Sequence, residues 1–225
     1  ERLHSCGKEP EMIEWIQTFL KEGDVFYDIG ANVGAYSLVA AKYSKGKVKI
    51  YSFEPGFMNF AQLCKNIYIN NCSYSIIPLE VALSDQTIMD TFHYNNLTPG
   101  GALHTLGKSM DAQGDISKPV FSQSVLTYRM DDLIEQFRLP IPRHIKIDVD
   151  GTEHKILEGA IETIKNPSVK SLFLEIEDGS KEADKIGDFM KRSHFKIHFK
   201  HKHTPADDTG PFSRMYNCLF VRFGD

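Results

Sequence analysis

Three carboxylates at the ends of apolar runs are the residues of this chain with the clearest capacity for chemistry. Asp28 and Asp148 each lie near the end of a short apolar run, and Glu54 directly follows the run 48–53. Runs of this length and composition predict buried strands of a parallel sheet. Because open α/β sheets bind ligands beyond the carboxyl ends of their strands, we expect these side chains near a ligand site.

The turn that follows Asp28 predicts a cofactor site. Gly30 and Gly34 stand at a strand-to-helix turn, where glycine lets a ligand approach the backbone. Their Gly-x-x-x-Gly spacing differs from the Gly-x-Gly-x-x-Gly of dinucleotide enzymes. A carboxylate at Asp28 would repel a pyrophosphate but suits the cationic end of S-adenosylmethionine (SAM), so the charge favours SAM over NAD. The same residues also fit a tight turn in which Asp28 serves only as a cap.

Glu54 predicts the position of a ribose. It follows Gly30 by 24 residues, a spacing that lets an acidic side chain accept hydrogen bonds from the ribose hydroxyls of an adenosine cofactor. A carboxylate favoured by a helix dipole, with Pro55 in the first turn, is the structural alternative. Just past the third predicted strand, we expect the adenine to lie against the residues Glu80, Val81 and Ala82.

The segment from Lys146 to Glu153 carries three carboxylates, one of which is Asp148. Asp150 and Glu153 have the Asp-x-x-Glu spacing of a helix capping pair, which is the favoured interpretation for these two residues. Asp148 is not needed for that cap and is the better catalytic candidate. Together with His154 the three carboxylates could also hold a divalent ion, a minority interpretation.

Alternating strand and helix patterns supply the elements that position these residues. They predict a single doubly wound α/β domain over residues 1–225, in which residues 1–22 form an N-terminal helical extension. The strand patterns cover residues 25–29, 48–53, 74–78, 145–149, 171–176, 195–199 and 216–223, and the helix patterns cover 11–22, 35–43, 57–70, 131–137, 153–165 and 182–191.

The alternation breaks between residues 81 and 128. Two further strand patterns, 89–94 and 121–127, flank a polar, Gly-rich stretch at 95–119. A connection of that length without regular structure is typical of a lid, a binding loop or disorder. We therefore expect an inserted strand pair with a lid or insertion loop.

Composition excludes several functional classes. The 225 residues carry 30 acidic and 26 basic side chains, and this net charge of −4 disfavours a protein held to nucleic acid by bulk charge. No run of about 18 apolar residues is present, so no membrane span is expected. Four cysteines without a CxxC pair indicate reduced thiols and a cytoplasmic location. Because the chain begins at Glu1 rather than Met, we expect it to be a piece of a longer one.

Several segments together resemble the FkbM-type family of SAM-dependent methyltransferases. They are VFYDIGANVGAYSL from Val25, YSFEP from Tyr51, EVALSD from Glu80, HIKIDVDGTEHKILEGA from His144, SLFLEIE from Ser171 and NCLFVRF from Asn217. The resemblance implies a Rossmann-like, mostly parallel seven-stranded sheet with an antiparallel strand near one edge. It also implies methyl transfer to an oxygen, often a sugar hydroxyl or a natural-product scaffold.

The resemblance also assigns site residues. It implies that Asp28, Gly30, Asn32 and Gly34 line the methionine part of SAM and that Glu54 holds the ribose. Asp148, Asp150 and Glu153 would face the acceptor site.

Methyl transfer to a hydroxyl benefits from a general base. Asp148 is the expected base or acceptor-orienting carboxylate. His104 in the long loop is the rival, since the glycines before it predict a segment that can fold over a substrate. Glu175, near the end of the fifth strand pattern, is a further candidate.

The leading hypothesis is O-methylation of a small hydroxylated molecule or a carbohydrate. Methylation of RNA or protein, a catalytically inactive SAM-fold binding module and a nicotinamide oxidoreductase are the alternatives. No nucleic acid partner is expected, and the histidines from His194 to His203 indicate a solvated edge strand with Phe195, Ile197 and Phe199 on a buried face. The acceptor and the oligomeric state do not follow from the sequence.

Overall fold

The strands build two sheets in the computed structural model, which describes residues 9–108, 118–202 and 213–224. The central sheet has the strand order β10-β11-β9-β8-β1-β2-β3, and a smaller sheet has the order β4-β7-β5-β6. The strands are β1 (Val25–Ile29), β2 (Lys49–Phe53), β3 (Ile76–Leu79), β4 (Ala82–Leu83), β5 (Ile88–Tyr94), β6 (Thr105–Leu106), β7 (Phe121–Tyr128), β8 (His144–Ile147), β9 (Ser171–Glu177), β10 (Phe195–Lys202) and β11 (Met215–Arg222).

The central sheet is parallel except for one strand. β1 pairs in parallel with both β2 and β8, and β8 pairs in parallel with β9. β11 runs antiparallel between β9 and β10. The expected seven-stranded, mostly parallel sheet with an antiparallel strand near one edge is confirmed.

Helices cover both faces of this sheet. Phe26, Ile50 and Phe173 pack with α1–α3 on one face, and Ile145 and Leu172 pack with α4–α7 on the other. The helices are α1 (Pro10–Phe19), α2 (Ala35–Tyr43), α3 (Phe57–Ile69), α4 (Met130–Phe137), α5 (Glu153–Glu158), α6 (Ile161–Lys165) and α7 (Lys181–Arg192). Both strand faces are therefore apolar, as the continuous apolar runs predicted. In the described part of the chain, no helix has the length and apolar character needed to cross a membrane.

The inserted strands form a sheet of their own beside the central one. β5 and β7 pair antiparallel over seven residues, β4 adds in parallel to β7, and β6 adds to β5. Phe92, Tyr94 and Val125 form a small apolar cluster on its inner face, against which Phe57 at the start of α3 packs. This sheet therefore lies close to the carboxyl ends of the central strands.

One predicted helix is wrong, because the region 153–165 is divided into α5 and α6. A Cβ added at Gly159 would lie 2.0 Å from the carbonyl oxygen of Ser84, so the chain passes close to a neighbouring loop there. The carboxylate of Asp131 then accepts a hydrogen bond from the Thr163 N–H at 2.8 Å, which caps a new helix. The break follows from contacts distant in sequence.

Candidate cofactor and acceptor site

A cavity opens where β1, β2 and β8 end. It encloses about 630 Å³ of space, part of it open to solvent. Its wall combines loops after the central strands with residues of the inserted sheet: Ile29, Gly30, Asn32, Phe53, Glu54, Pro55, Asn59, Val81, Ala82, Leu83, Phe92, Gly101, Ala102, His104, Leu106, Asp148, Val149, Asp150 and Thr152. The structure thus brings cofactor and acceptor candidates to one site.

The turn after β1 is held in a conformation that requires glycine. Gly30 has a φ of +73°, and a Cβ there would lie 2.0 Å from the carbonyl oxygen of Asp148. Asn32 also has a positive φ of 52°, which asparagine tolerates better than most residues. Gly34 does not line the cavity; it precedes α2 with a φ of +85° and lies against Leu63. The turn therefore presents Gly30 and Asn32 to the cavity.

Glu54 is buried in the cavity wall and holds two loops together. Its Oε2 accepts the Asn32 N–H and its Oε1 accepts the Gly56 N–H, each at 2.8 Å. Burial raises the pKa of Glu54 to about 7, against the effect of these two hydrogen bonds. Since a carboxylate can accept about four hydrogen bonds, Glu54 retains capacity for a ribose hydroxyl.

Asp28 does not line the cavity in this structure. It lies on the α1–α3 side of β1, 1% exposed, where its Oδ2 accepts a hydrogen bond from Ser37 and its Oδ1 lies 3.1 Å from Lys146 Nζ. Its charge is thus balanced within the protein, which weakens the sequence argument that this charge selects SAM over NAD. Direct contact of Asp28 with a cofactor stays a prediction.

Lys146 is a site residue that sequence reasoning missed. Its ammonium group lies between Asp28 and Asp148, 3.3 Å from the latter, and donates to the carbonyl oxygen of Gly30 at 3.1 Å. Burial opposes its charged form, but the two carboxylates outweigh that effect and raise the pKa of Lys146 above its ordinary value. The signal was its place two residues before Asp148, on the same strand face.

The carboxylates after β8 have different environments. Asp148 is half-buried, lines the cavity and contacts Lys146. Asp150 is exposed, has a φ of 57° and accepts the Leu103 N–H at 2.8 Å. Glu153 is buried and accepts the N–H groups of Val149 and Gly151, and burial raises its pKa to about 7.

The predicted capping pair is wrong. Thr152 occupies the N-cap of α5, and its side chain makes no capping hydrogen bond. Asp150 instead bonds to a loop inserted far away in sequence, and Glu153 closes the turn that precedes its own helix. Of the two, only Asp150 lines the cavity.

Residues 95–106, which we call the strap, cover the cavity with part of the predicted long loop. The Gly100 N–H donates to Asn59 Oδ1 at 2.8 Å, and the Gly101 carbonyl accepts from the side chains of Asn32 and Asn59. With the bond from Leu103 to Asp150, the strap is tied to both the turn after β1 and the loop after β8. Residues 109–117 of the predicted lid lie outside the described residues.

His104 reaches the cavity from the strap. It is 8% exposed, packs against the rings of Phe92 and Tyr94, and accepts the Asn95 N–H on its Nδ1 at 3.4 Å. Burial lowers its pKa, which favours the neutral ring. A neutral ring that accepts on Nδ1 carries its proton on Nε2, so His104 acts as a hydrogen-bond donor.

The remaining candidates divide between the cavity and its surroundings. Val81 and Ala82 line the cavity, whereas Glu80 is exposed and does not. Glu175 is half-buried within β9, outside the cavity wall; burial and the nearby charges of Asp148 and Glu153 raise its pKa well above its ordinary value. Asn59 was not predicted, and an asparagine in an apolar helix pattern was the available signal.

The described residues contain no group of three or more His, Cys, Asp or Glu side chains arranged to hold a metal ion. The carboxylates after β8 are instead used by backbone N–H groups and Lys146. A metal contribution from this cluster therefore finds no geometric support within the described part of the chain.

Comparison with known proteins gives matches to methyltransferases. The chain is 25% identical over 178 residues to the hexuronic acid methyltransferase AglP of Haloferax volcanii, a match that covers 79% of this chain and 66% of AglP. It is 28% identical over 179 residues to the 31-O-demethyl-FK506 methyltransferase FkbM of Streptomyces tacrolimicus, covering 71% of this chain and 67% of that protein. The chain thus spans about two thirds of these relatives.

Solved structures show the same fold. The methyltransferase FkbM from Methylobacillus flagellatus superposes with a TM-score of 0.61 at 19% identity, covering 90% of this chain and 45% of that one. TYW2 of M. jannaschii, solved in complex with AdoMet, gives a TM-score of 0.50 at 14% identity over 96% of this chain and 76% of that one.

A protein-family comparison extends over most of the chain. The model described as the methyltransferase FkbM domain matches residues 28–197, from the cofactor turn into β10. The matched region includes Glu54, the strap, Asp148 and the whole of the smaller sheet. This chain belongs to the FkbM methyltransferase family.

Proposed function

We propose that this chain is a SAM-dependent O-methyltransferase that acts on a hydroxyl of a small molecule or a sugar. The observation that carries the proposal is one cavity that joins the cofactor turn, Glu54 and Asp148. The two relatives are named as methyltransferases of a hexuronic acid and of 31-O-demethyl-FK506, and these names support the reaction class.

The cavity wall fits the parts of SAM. Phe53, Val81, Ala82 and Leu83 offer an apolar surface for the adenine, and Glu54 offers carboxylate oxygens to the ribose. Gly30 allows close approach to the backbone, because a Cβ at that position would already meet Asp148. We assign the adenosine part of SAM to this half of the cavity.

On the other side of the cavity, Asp148 and His104 would bind and orient the acceptor. Bound SAM supplies an electrophilic methyl group on a sulfonium. Asp148 receives the proton of the acceptor hydroxyl as that oxygen is alkylated, and His104 donates a hydrogen bond that helps to orient the acceptor. The strap excludes water from the cavity and holds the acceptor in line, effects that can lower a barrier by several kcal/mol.

Calorimetric titration with SAM, S-adenosylhomocysteine and NAD tests the cofactor assignment. We expect the two adenosyl ligands to bind and NAD not to bind. Glu54→Gln should weaken SAM binding by about tenfold, because one anionic acceptor for the ribose hydroxyls is lost. Because the pKa of Glu54 is about 7, SAM affinity should rise as pH increases through that value.

Glu80→Gln is the matched control, since Glu80 is exposed and does not line the cavity. It should bind SAM as the unmodified protein does. If neither adenosyl ligand binds the unmodified protein, the SAM proposal is wrong. Equal affinities for Glu54→Gln and Glu80→Gln would remove Glu54 from the cofactor site.

A further inference from the structure

The charged side chains among the described residues of the cavity wall are all acidic. Among the described residues of its wall, the acidic ones are Glu54, Asp148 and Asp150, and none is lysine or arginine. Lys146 is the nearest buried cation, but its side chain is 2% exposed and is held by Asp28 and Asp148. With Glu54 assigned to the ribose, the wall thus offers an acceptor the carboxylates of Asp148 and Asp150 and no accessible cation from the described residues.

Six backbone N–H groups near the cavity, a type of group that often holds anions, are bonded to the protein's own oxygens. Just before α5, Glu153 accepts hydrogen bonds from the N–H groups of Val149 and Gly151. In the same way, Glu54 accepts hydrogen bonds from the Asn32 and Gly56 N–H groups. Asp150 accepts the Leu103 N–H, and Asn59 Oδ1 accepts the Gly100 N–H. An anionic group on an acceptor could use these six N–H groups only by displacing one of these bonds.

The two lysines at the described ends of the inserted loop lie outside the cavity wall. Lys108 and Lys118 are exposed and do not line the cavity. In the described wall, His104 is the histidine, and its neutral ring accepts the Asn95 N–H on Nδ1, which leaves an uncharged Nε2–H donor.

We propose that the acceptor is an uncharged sugar or similar polyhydroxyl compound, held by hydroxyl groups that donate hydrogen bonds to Asp148 and Asp150. This inference rests on the proposed methyltransferase function and makes its acceptor more specific. Carboxylated sugars, the substrate class in the name of the relative AglP, are disfavoured because their charge would face carboxylates. The two proteins share a family but would differ in this selectivity.

Transfer of labelled methyl from SAM to a panel of methyl glycosides tests the proposal. The panel pairs each hexuronic acid with its hexuronamide, which has nearly the same shape without the charge, and adds the matching neutral hexose. We expect transfer to neutral hexosides and hexuronamides to exceed transfer to hexuronic acids by about tenfold or more. Equal or faster transfer to the hexuronic acids would overturn the proposal.

Two other outcomes separate this inference from the proposed function. Binding of SAM without transfer to any member of the panel means that the acceptor assignment is wrong while the cofactor assignment stands. Failure to bind SAM or S-adenosylhomocysteine means that the proposed function itself is wrong.

Asp150→Asn connects the selectivity to a named residue. Asparagine tolerates the positive φ at this position, so the loop should keep its shape. The variant should reduce the preference for hexuronamide over hexuronic acid several-fold, because one repelling charge is gone. Asp178→Asn is the control, since Asp178 pairs with Lys200 and is not in the cavity wall; it should keep the full preference. An unchanged preference in Asp150→Asn would contradict the assignment to Asp150.

Discussion

Lys146 carries a positive charge inside the protein, directly behind the cavity. Its neighbours Asp28 and Asp148 lie on β1 and just after β8, which are adjacent in the sheet, and Asp28 is its register partner. Sequence alone identified both carboxylates but not their common partner, because residues 28 and 146 meet only through strand pairing across more than a hundred residues. At this scale, the sequence predicted which residues matter better than what each one contacts.

Replacing Lys146 tests how much the fold depends on this charge. Lys146→Met should destabilise the protein by about 3–5 kcal/mol, because it leaves Asp28 buried without its cation. Adding Asp28→Asn should restore much of that loss, since the second change removes the unpaired charge. Urea unfolding of the two single variants and the double variant measures the coupling. Additive losses in the double variant would contradict a direct interaction between the two side chains.

At the scale of elements, the turn from β1 into α2 is the part of the site that sequence predicted best. Short-range rules were sufficient there, because glycines that need a positive φ leave a local signature. The interruption at Gly159 and the bulge in β10 were not predictable in this way. The alternation at Phe195, Ile197 and Phe199 predicted three residues on one buried face, but Ile197 is 54% exposed. The register shifts between Ile197 and Phe199, and Phe195 and Phe199 pack into the cores on opposite faces of the sheet.

Gly30→Ala should disturb this turn more than an equally strained substitution elsewhere. The new Cβ would lie 2.0 Å from the carbonyl oxygen of Asp148, so the ends of β1 and β8 must separate. We expect a larger stability loss than the roughly 1–2 kcal/mol of a positive φ alone, together with at least a tenfold loss of SAM affinity.

Gly23→Ala is the matched control for that change. Gly23 has a φ of +86°, but nothing lies within 4 Å of its added Cβ. It should therefore show the strain of the backbone without the clash and keep its affinity for SAM. Thermal unfolding and calorimetry on both variants make the comparison. Equal stability losses would mean that the contact with Asp148 is easily relieved.

The whole molecule holds carboxyl groups that resist ionisation in the folded state. Burial raises the pKa of both Glu54 and Glu153 to about 7, whereas in the unfolded chain these groups titrate near 4.5. Between those values the unfolded state has lost the protons that the folded state keeps. The contribution of these two groups to the free energy of unfolding is therefore highest below about pH 4.5 and falls as pH rises to about 7.

Glu153→Gln tests this effect on the global fold. The amide oxygen can still accept the N–H groups of Val149 and Gly151, but it carries no charge at any pH. Between pH 5 and 7.5, the free energy of unfolding should change less in the variant than in the unmodified protein. The difference between the two changes should be about 3 kcal/mol at most. Urea unfolding at several pH values checks it. Parallel pH curves for the two proteins would refute the role of Glu153.

At this scale the sequence predicted the architecture well. The order of strand and helix patterns and the resemblance together indicated the seven-stranded sheet with its antiparallel strand, because alternating apolar patterns restrict an α/β chain to few topologies. The strap was predicted as part of a lid or insertion loop, without its contacts. Its contacts with Asn32, Asn59 and Asp150 depend on the position of the inserted sheet, which no local pattern specifies.

The strand order also has a consequence for how the chain assembles. The half of the central sheet formed by β1, β2 and β3 pairs residues about 25 apart, such as Phe26 with Ile50. The other half joins β1 only when His144 pairs with Phe26, and β10 then gains a partner only through the later strand β11. Contacts of such long range form slowly. We therefore expect folding to begin with β1–β3, and β1 to present an open edge until β8 arrives.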